Sequence, residues 1–128
     1  MKLRIKGNST RLRLSQSEVD KLAAGRAVSD SIAFGPRSGD RLSYQVMVSD
    51  DAAAIVAELA DNVITFILPA IIARDWAAGD AVSIEAEQAT GEEGTLRILI
   101  EKDFACLNPR RGEDEADMFP NPNAGTEC

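Results

Sequence analysis

The chain contains no histidine, which removes the side chain most often used near neutral pH as a general base and a metal ligand. Ser–His and Cys–His catalysis are excluded, and a non-enzymatic protein without a cofactor is the expectation. Long apolar runs are missing too. The longest, VITFILPAIIA over residues 63–73, holds 11 residues and is interrupted by Pro69. A membrane span needs about 20. The opening MKLRIK alternates charged and apolar residues, unlike an export signal. The cytoplasm is therefore the expected compartment, with no membrane partner. Only two cysteines occur, Cys106 and Cys128. In a reducing compartment they are expected as thiols rather than as a disulfide. FGPRSGD lacks the Lys-Ser/Thr pair of a phosphate-binding loop.

What is present is a soluble-protein composition, 45% hydrophobic and 27% charged over 128 residues, enough for one domain. The net charge of −7 hides a division. Residues 1–48 carry nine Lys+Arg and four Asp+Glu, a net of +5; residues 49–128 carry five and seventeen, a net of −12. Such asymmetry marks a nucleic-acid surface, an acidic tail, or both.

The stretch AAGRAVS at 23–29 returns as AAGDAVS at 77–83. Shifted by 54 positions, residues 1–48 lie on 55–102 without a gap, and nine pairs are identical, among them Asn8/Asn62, Leu14/Leu68 and Gly25/Gly79. Composition alone would give about three. Each repeat reads as strand, turn, strand, short helix, strand, turn, strand. In the first, Leu3, Ile5, Leu12 and Leu14 alternate with cations about the turn GNS. Ser15 and Glu18 form a capping box, and a helix over about 16–24 ends at Gly25. Val28, Ile32 and Phe34 share one strand face, and Leu42, Tyr44, Val46 and Val48 alternate again. In the second, Asp61-Asn62 is the turn and Pro69 opens the helix, whose Ile72 and Trp76 face inward until Gly79. Neither half can bury its apolar face alone. Two halves facing each other predict one mainly β domain over 1–104, a barrel of about eight strands and two short helices with its edges closed. One chain would do the work of a symmetric dimer, so a monomer is expected.

At KGNSTRLRLSQSEVDKL and VITFILPAIIARDWAAGDAVSIEA the chain resembles the AbrB-type swapped-hairpin family, whose short ββαββ chains dimerise into one interleaved barrel. The first repeat is similar to MazE-type antitoxins, with a Gly-Asn-Ser turn before an Arg-bearing strand. A looser similarity is to uncharacterised bacterial proteins of this length, which implies no function. The fused dimer departs from the family's single-unit chains. The family resemblance implies DNA binding through the first hairpin, here Arg4, Lys6, Asn8, Ser9, Arg11 and Arg13. The strand alternation agrees, because Lys2, Arg4, Lys6, Arg11 and Arg13 fall on one outward face. Phosphate contacts would supply affinity, and Asn8 could read a base edge. The matching positions of the second repeat, Val56, Glu58, Ala60, Thr65 and Ile67, hold no cation. A palindromic two-site reader is not expected.

After Asp103 the periodicity stops. Residues 105–128 read as an acidic, proline-containing tail. Glu113, Asp114, Glu115 and Asp117, followed by Met118 and Phe119, form a candidate partner-binding segment. In MazE-type antitoxins an acidic tail wraps the toxin; here the tail could equally dock Phe119 on its own barrel. A metal site from Glu101, Asp103, Cys106 and the 113–117 carboxylates is not expected. The spacing is not that of a calcium loop, and Cys106 lacks a second thiol or His for zinc. The leading expectation is a small binding protein that engages DNA through its first hairpin. The alternatives are an antitoxin-like module using its tail, and a domain of this fold without DNA binding.

Overall fold

A computed structural model describes residues 1–92, 94–104 and 119. Eight strands and two helices alternate as β1 (Lys2–Lys6), β2 (Ser9–Leu14), α1 (Gln16–Ala23), β3 (Val28–Ala33), β4 (Arg41–Ser49), β5 (Val56–Ala60), β6 (Val63–Pro69), α2 (Ala70–Ala78), β7 (Ser83–Ala89) and β8 (Thr95–Lys102), with a 3₁₀ turn at Ser38–Asp40. The spacing of 54 recurs in the elements: β1 and β5 start at Lys2 and Val56, β2 and β6 at Ser9 and Val63, α1 and α2 at Gln16 and Ala70.

The local signals act as the sequence implies. Gly7 takes a positive φ of 55° in the first turn, and Asp61 and Asn62 take 50° and 62° in the second. Positive φ at both central residues of the second turn suits the right-handed twist of a tight hairpin. Ser15 Oγ accepts from the Glu18 amide, and Glu18 Oε1 accepts from the Ser15 amide at 2.9 Å. Those bonds satisfy two donors that the start of α1 would otherwise leave open. Gly25 turns the chain out of α1 at φ 81°.

The hairpins are interleaved. One sheet runs β1-β2-β8-β7 and the other β5-β6-β4-β3, so each sheet joins one hairpin from each repeat. The joining pairs, β2 with β8 and β4 with β6, are parallel, whereas all pairs within a hairpin are antiparallel. Applying the 54-residue shift to one sheet generates the strand order of the other. The core follows the same rule. Leu12/Phe66, Leu14/Leu68, Val19/Ala73, Leu22/Trp76 and Val46/Ile100 are all buried, and each pair is separated by 54. Burying each large apolar side chain is worth about 1.5–3 kcal/mol.

The expected closure into one barrel does not occur: the strands form two four-stranded sheets with four edges, β1, β7, β3 and β5. One seam is bridged by a side chain in place of a backbone ladder. Gln88 on β7 donates to the Ala57 carbonyl of β5 and accepts from its amide, both at 2.8 Å. The β3-β4 and β7-β8 hairpins differ in register by two residues, so the matching place in the other seam is held by Ile32, which pairs with Leu42 as Gln88 pairs with Leu96 and has no side-chain amide to offer. Ile32 and Phe34 are both exposed, Phe34 to 74%, so of the expected inward trio only Val28 is buried. The β3 ladder runs out at Ala33, beyond the reach of the core.

Candidate nucleic-acid interface

The strand period of two puts Lys2, Arg4 and Lys6 of β1 and Arg11 and Arg13 of β2 on the face opposite the buried Leu12 and Leu14. Register then sorts them. Arg4 lies directly across from Arg11, and Lys2 from Arg13. Like charges directly opposed destabilise a hairpin, so this face needs counter-charge from elsewhere.

The parallel neighbour β8 supplies part of it. Arg13 is level with Glu101. Glu101 Oε1 accepts from Arg11 Nε at 2.6 Å and from Arg13 Nε at 2.7 Å, and only 12% of the Glu101 side chain is exposed. Lys2 Nζ pairs with the Asp103 carboxylate at 3.2 Å. Both acids considered for a metal site are thus held by cations of the hairpin. Cys106 and the 113–117 carboxylates lie outside the described residues.

Arg4 and Lys6 are different. Both are exposed, and among the described residues neither has an ion-pair partner. They line a groove of about 700 Å³ on this sheet, together with Arg11, Arg97, Glu85 and Glu87. Cations from β1, β2 and β8 line one flank. Glu85 and Glu87 of β7 line the other, where Glu87 makes a loose, exposed pair with Arg97 at 3.5 Å.

The turn residues have structural work. Asn8 donates its side-chain amide to the Thr95 carbonyl at 2.8 Å, and its own carbonyl accepts from the Arg97 amide at 3.1 Å. Asn62 does the same on the other sheet, donating to the Gly39 carbonyl at 3.2 Å and accepting from the Ser43 amide at 2.9 Å. Arg97 and Ser43 are themselves 54 apart. The Asn8/Asn62 identity therefore marks the stitch that ties each hairpin turn to the opposite repeat. Ser9 Oγ donates to the Lys6 carbonyl at 2.8 Å and closes the turn. Sequence reasoning brought the six hairpin residues together but missed Glu101 and Arg97. Applying the interleaving to the repeat would have placed β8 beside β2 and revealed both.

Of the tail segment, Phe119 alone is described; Glu113, Asp114, Glu115, Asp117 and Met118 lie outside the described residues. Phe119 docks at the end of β8. Its amide donates to the Asp103 carbonyl at 2.9 Å, and its ring meets Phe104 edge to face at 5.5 Å. Lys102, buried to 6% exposure, holds its ammonium 5.4 Å from the Phe119 ring centre and 5.9 Å from that of Trp76, and donates to the Gly79 carbonyl at 2.9 Å. That hydrogen bond and the two ring faces offset the desolvation of the charge.

Among the described residues no helix is long and apolar enough to cross a membrane. No curated protein matches the chain, and no solved structure does. A family model does match, over residues 1–123, and by it the chain belongs to the family of unknown function DUF7009.

Proposed function

We propose that this protein is a non-enzymatic DNA-binding protein, a fused AbrB-like swapped-hairpin dimer that keeps a single basic half-site on its first hairpin. The observation that carries the reading is the pair Arg4 and Lys6, exposed and without ion-pair partners among the described residues, on the wall of a groove where Arg4 opposes Arg11. A phosphate seated there would relieve the like-charge contact. The interleaving of hairpins from the two repeats supports the kinship with a swapped-hairpin dimer. The half-site is single because Glu58 and Ala60 replace Arg4 and Lys6 in the second repeat. Asn8 serves as a structural stitch in this reading, so contacts go to the backbone rather than to bases. The rival reading, a tail that wraps a protein partner, meets a Phe119 already seated on its own sheet.

The test is binding of labelled mixed-sequence duplex DNA across a salt series. Two or three phosphate contacts predict a log–log slope of about −2 to −3. Arg4→Ala/Lys6→Ala should abolish binding, while Arg13→Ala, which removes a cation already held by Glu101, should weaken it far less. Absence of binding at low salt would retire the reading.

A further inference from the structure

The end of β8, where Phe119 sits, has a counterpart at the end of β4. The 54-residue shift carries Trp76 onto Leu22, Gly79 onto Gly25, Lys102 onto Val48 and Phe104 onto Asp50. Leu22, Gly25, Val48 and Asp50, with Ala70 and Arg74 of α2, line a groove of about 230 Å³. In the second repeat the corresponding place holds the chain's own Phe119, which packs against the core. In the first repeat no described residue fills it. We propose that this groove is a docking site for an extended segment of another protein, one that presents an aromatic anchor preceded by carboxylates.

Three observations select that occupant. The occupied site shows how the backbone accepts an anchor: Phe119 bridges Phe104 in parallel, and its amide bonds to the carbonyl of the preceding residue, Asp103. Ser49 and Asp50 stand at those places in the first repeat. The floor of the empty site is more apolar, with Val48 where Lys102 stands, so it suits a ring without needing a cation. The charge at the corresponding helix positions differs. Arg74, which lines this groove, is exposed and without an ion-pair partner among the described residues, and the first repeat has Asp20 in its place. A carboxylate on the incoming segment would meet Arg74, and repulsion from Asp50 would set the direction in which the segment lies. The surface is separate from the basic hairpin and does not depend on the DNA reading.

A labelled peptide of residues 113–123, EDEADMFPNPN, carries both required features. It should bind the full-length chain saturably. Arg74→Glu, at an exposed position, and Ala70→Leu, which narrows the groove, should each weaken binding about tenfold or more. A peptide with Phe119→Ala should not bind. Trp76 is the only tryptophan and shares the Lys102 ammonium with the docked Phe119, so its emission should stay constant as the peptide binds. The same emission, unchanged in the unliganded variants, confirms that they fold. No saturable binding, binding indifferent to both substitutions, or a Trp76 signal showing displacement of Phe119 would each overturn the proposal.

Discussion

On the outer face of the first sheet, Arg11 and Arg13 close on Glu101; at the same places of the second sheet stand Thr65, Ile67 and Met47. Arg4 and Lys6 become Glu58 and Ala60, and Leu99 becomes Gln45, which donates to Thr65 Oγ1 at 3.0 Å. The two sheets share strand order, two of their three registers and a buried inner face, while β3-β4 and β7-β8 differ in register by two residues. Yet one outer face carries the clustered cations and the other is mostly apolar and neutral-polar, with Glu58 in the place of Arg4. Packing dictates the inner positions, because the core must be filled from both halves. Solvent dictates nothing comparable outside. The outer positions were therefore free to diverge, and in the first sheet they did so toward unneutralised positive charge at the hairpin end.

The comparison can be broken most severely from inside. Phe66→Ala should cost about 3–5 kcal/mol and Leu12→Ala about 2–5 kcal/mol in urea unfolding, since both side chains are fully buried at equivalent places. A small effect at one place alone would mean that the two halves do not share one core. Next is the charged face. Glu101→Gln leaves two half-buried guanidiniums without their carboxylate and should cost about 1–2 kcal/mol. It should also tighten DNA binding, because two more cations become free; Met47→Leu at the matching position should do neither. The seams rank third. Gln88→Leu deprives the Ala57 peptide of both its partners and should lower stability by about 1 kcal/mol, while Ile32→Gln, at the matching place of the other seam, should raise it by less.

A smaller effect has the opposite sign from most substitutions. Arg4→Ala removes the charge facing Arg11 and should stabilise the fold by about 0.2–0.5 kcal/mol at low salt, even as it weakens DNA binding. Equal loss of both would make Arg4 a merely structural residue. The smallest concerns Tyr44, whose phenol is pushed above its ordinary value by burial, and then by the charges of Asp30 and Glu18. Folding favours the neutral phenol, so its contribution is fully present below pH 10 and fades as pH rises above it. Tyr44→Phe should flatten the decline in stability on the alkaline side, read by thermal melts across that range.

Much of the fold was legible because its determinants are local. The Gly7 and Asp61-Asn62 turns, the Ser15/Glu18 box and the alternation in each strand depend on neighbours a few residues away. The repeat extended that reach by making each half a template for the other. Closure was misjudged because it depends on how far two twisted sheets splay, which a strand pattern does not encode. Gln88 corresponds to Phe34 in the repeat alignment but to Ile32 in the strand pairing, and only the register of the folded hairpins shows which residue faces which seam. The basic hairpin was legible as a face but not as a charge balance. Glu101 lies 88 residues from Arg13, and nothing local links them.

The succession of strands and helices along the chain, the helix caps and the alternation that separates inside from outside follow from the chain's own short-range chemistry. Which cations stay free was settled only by the parallel pairing of β2 with β8, which takes Arg11 and Arg13 out of the basic face and leaves Arg4 and Lys6 in it. The reason is the short range of a salt bridge: it acts over a few ångströms, so its partners are chosen by the fold that brings distant segments together.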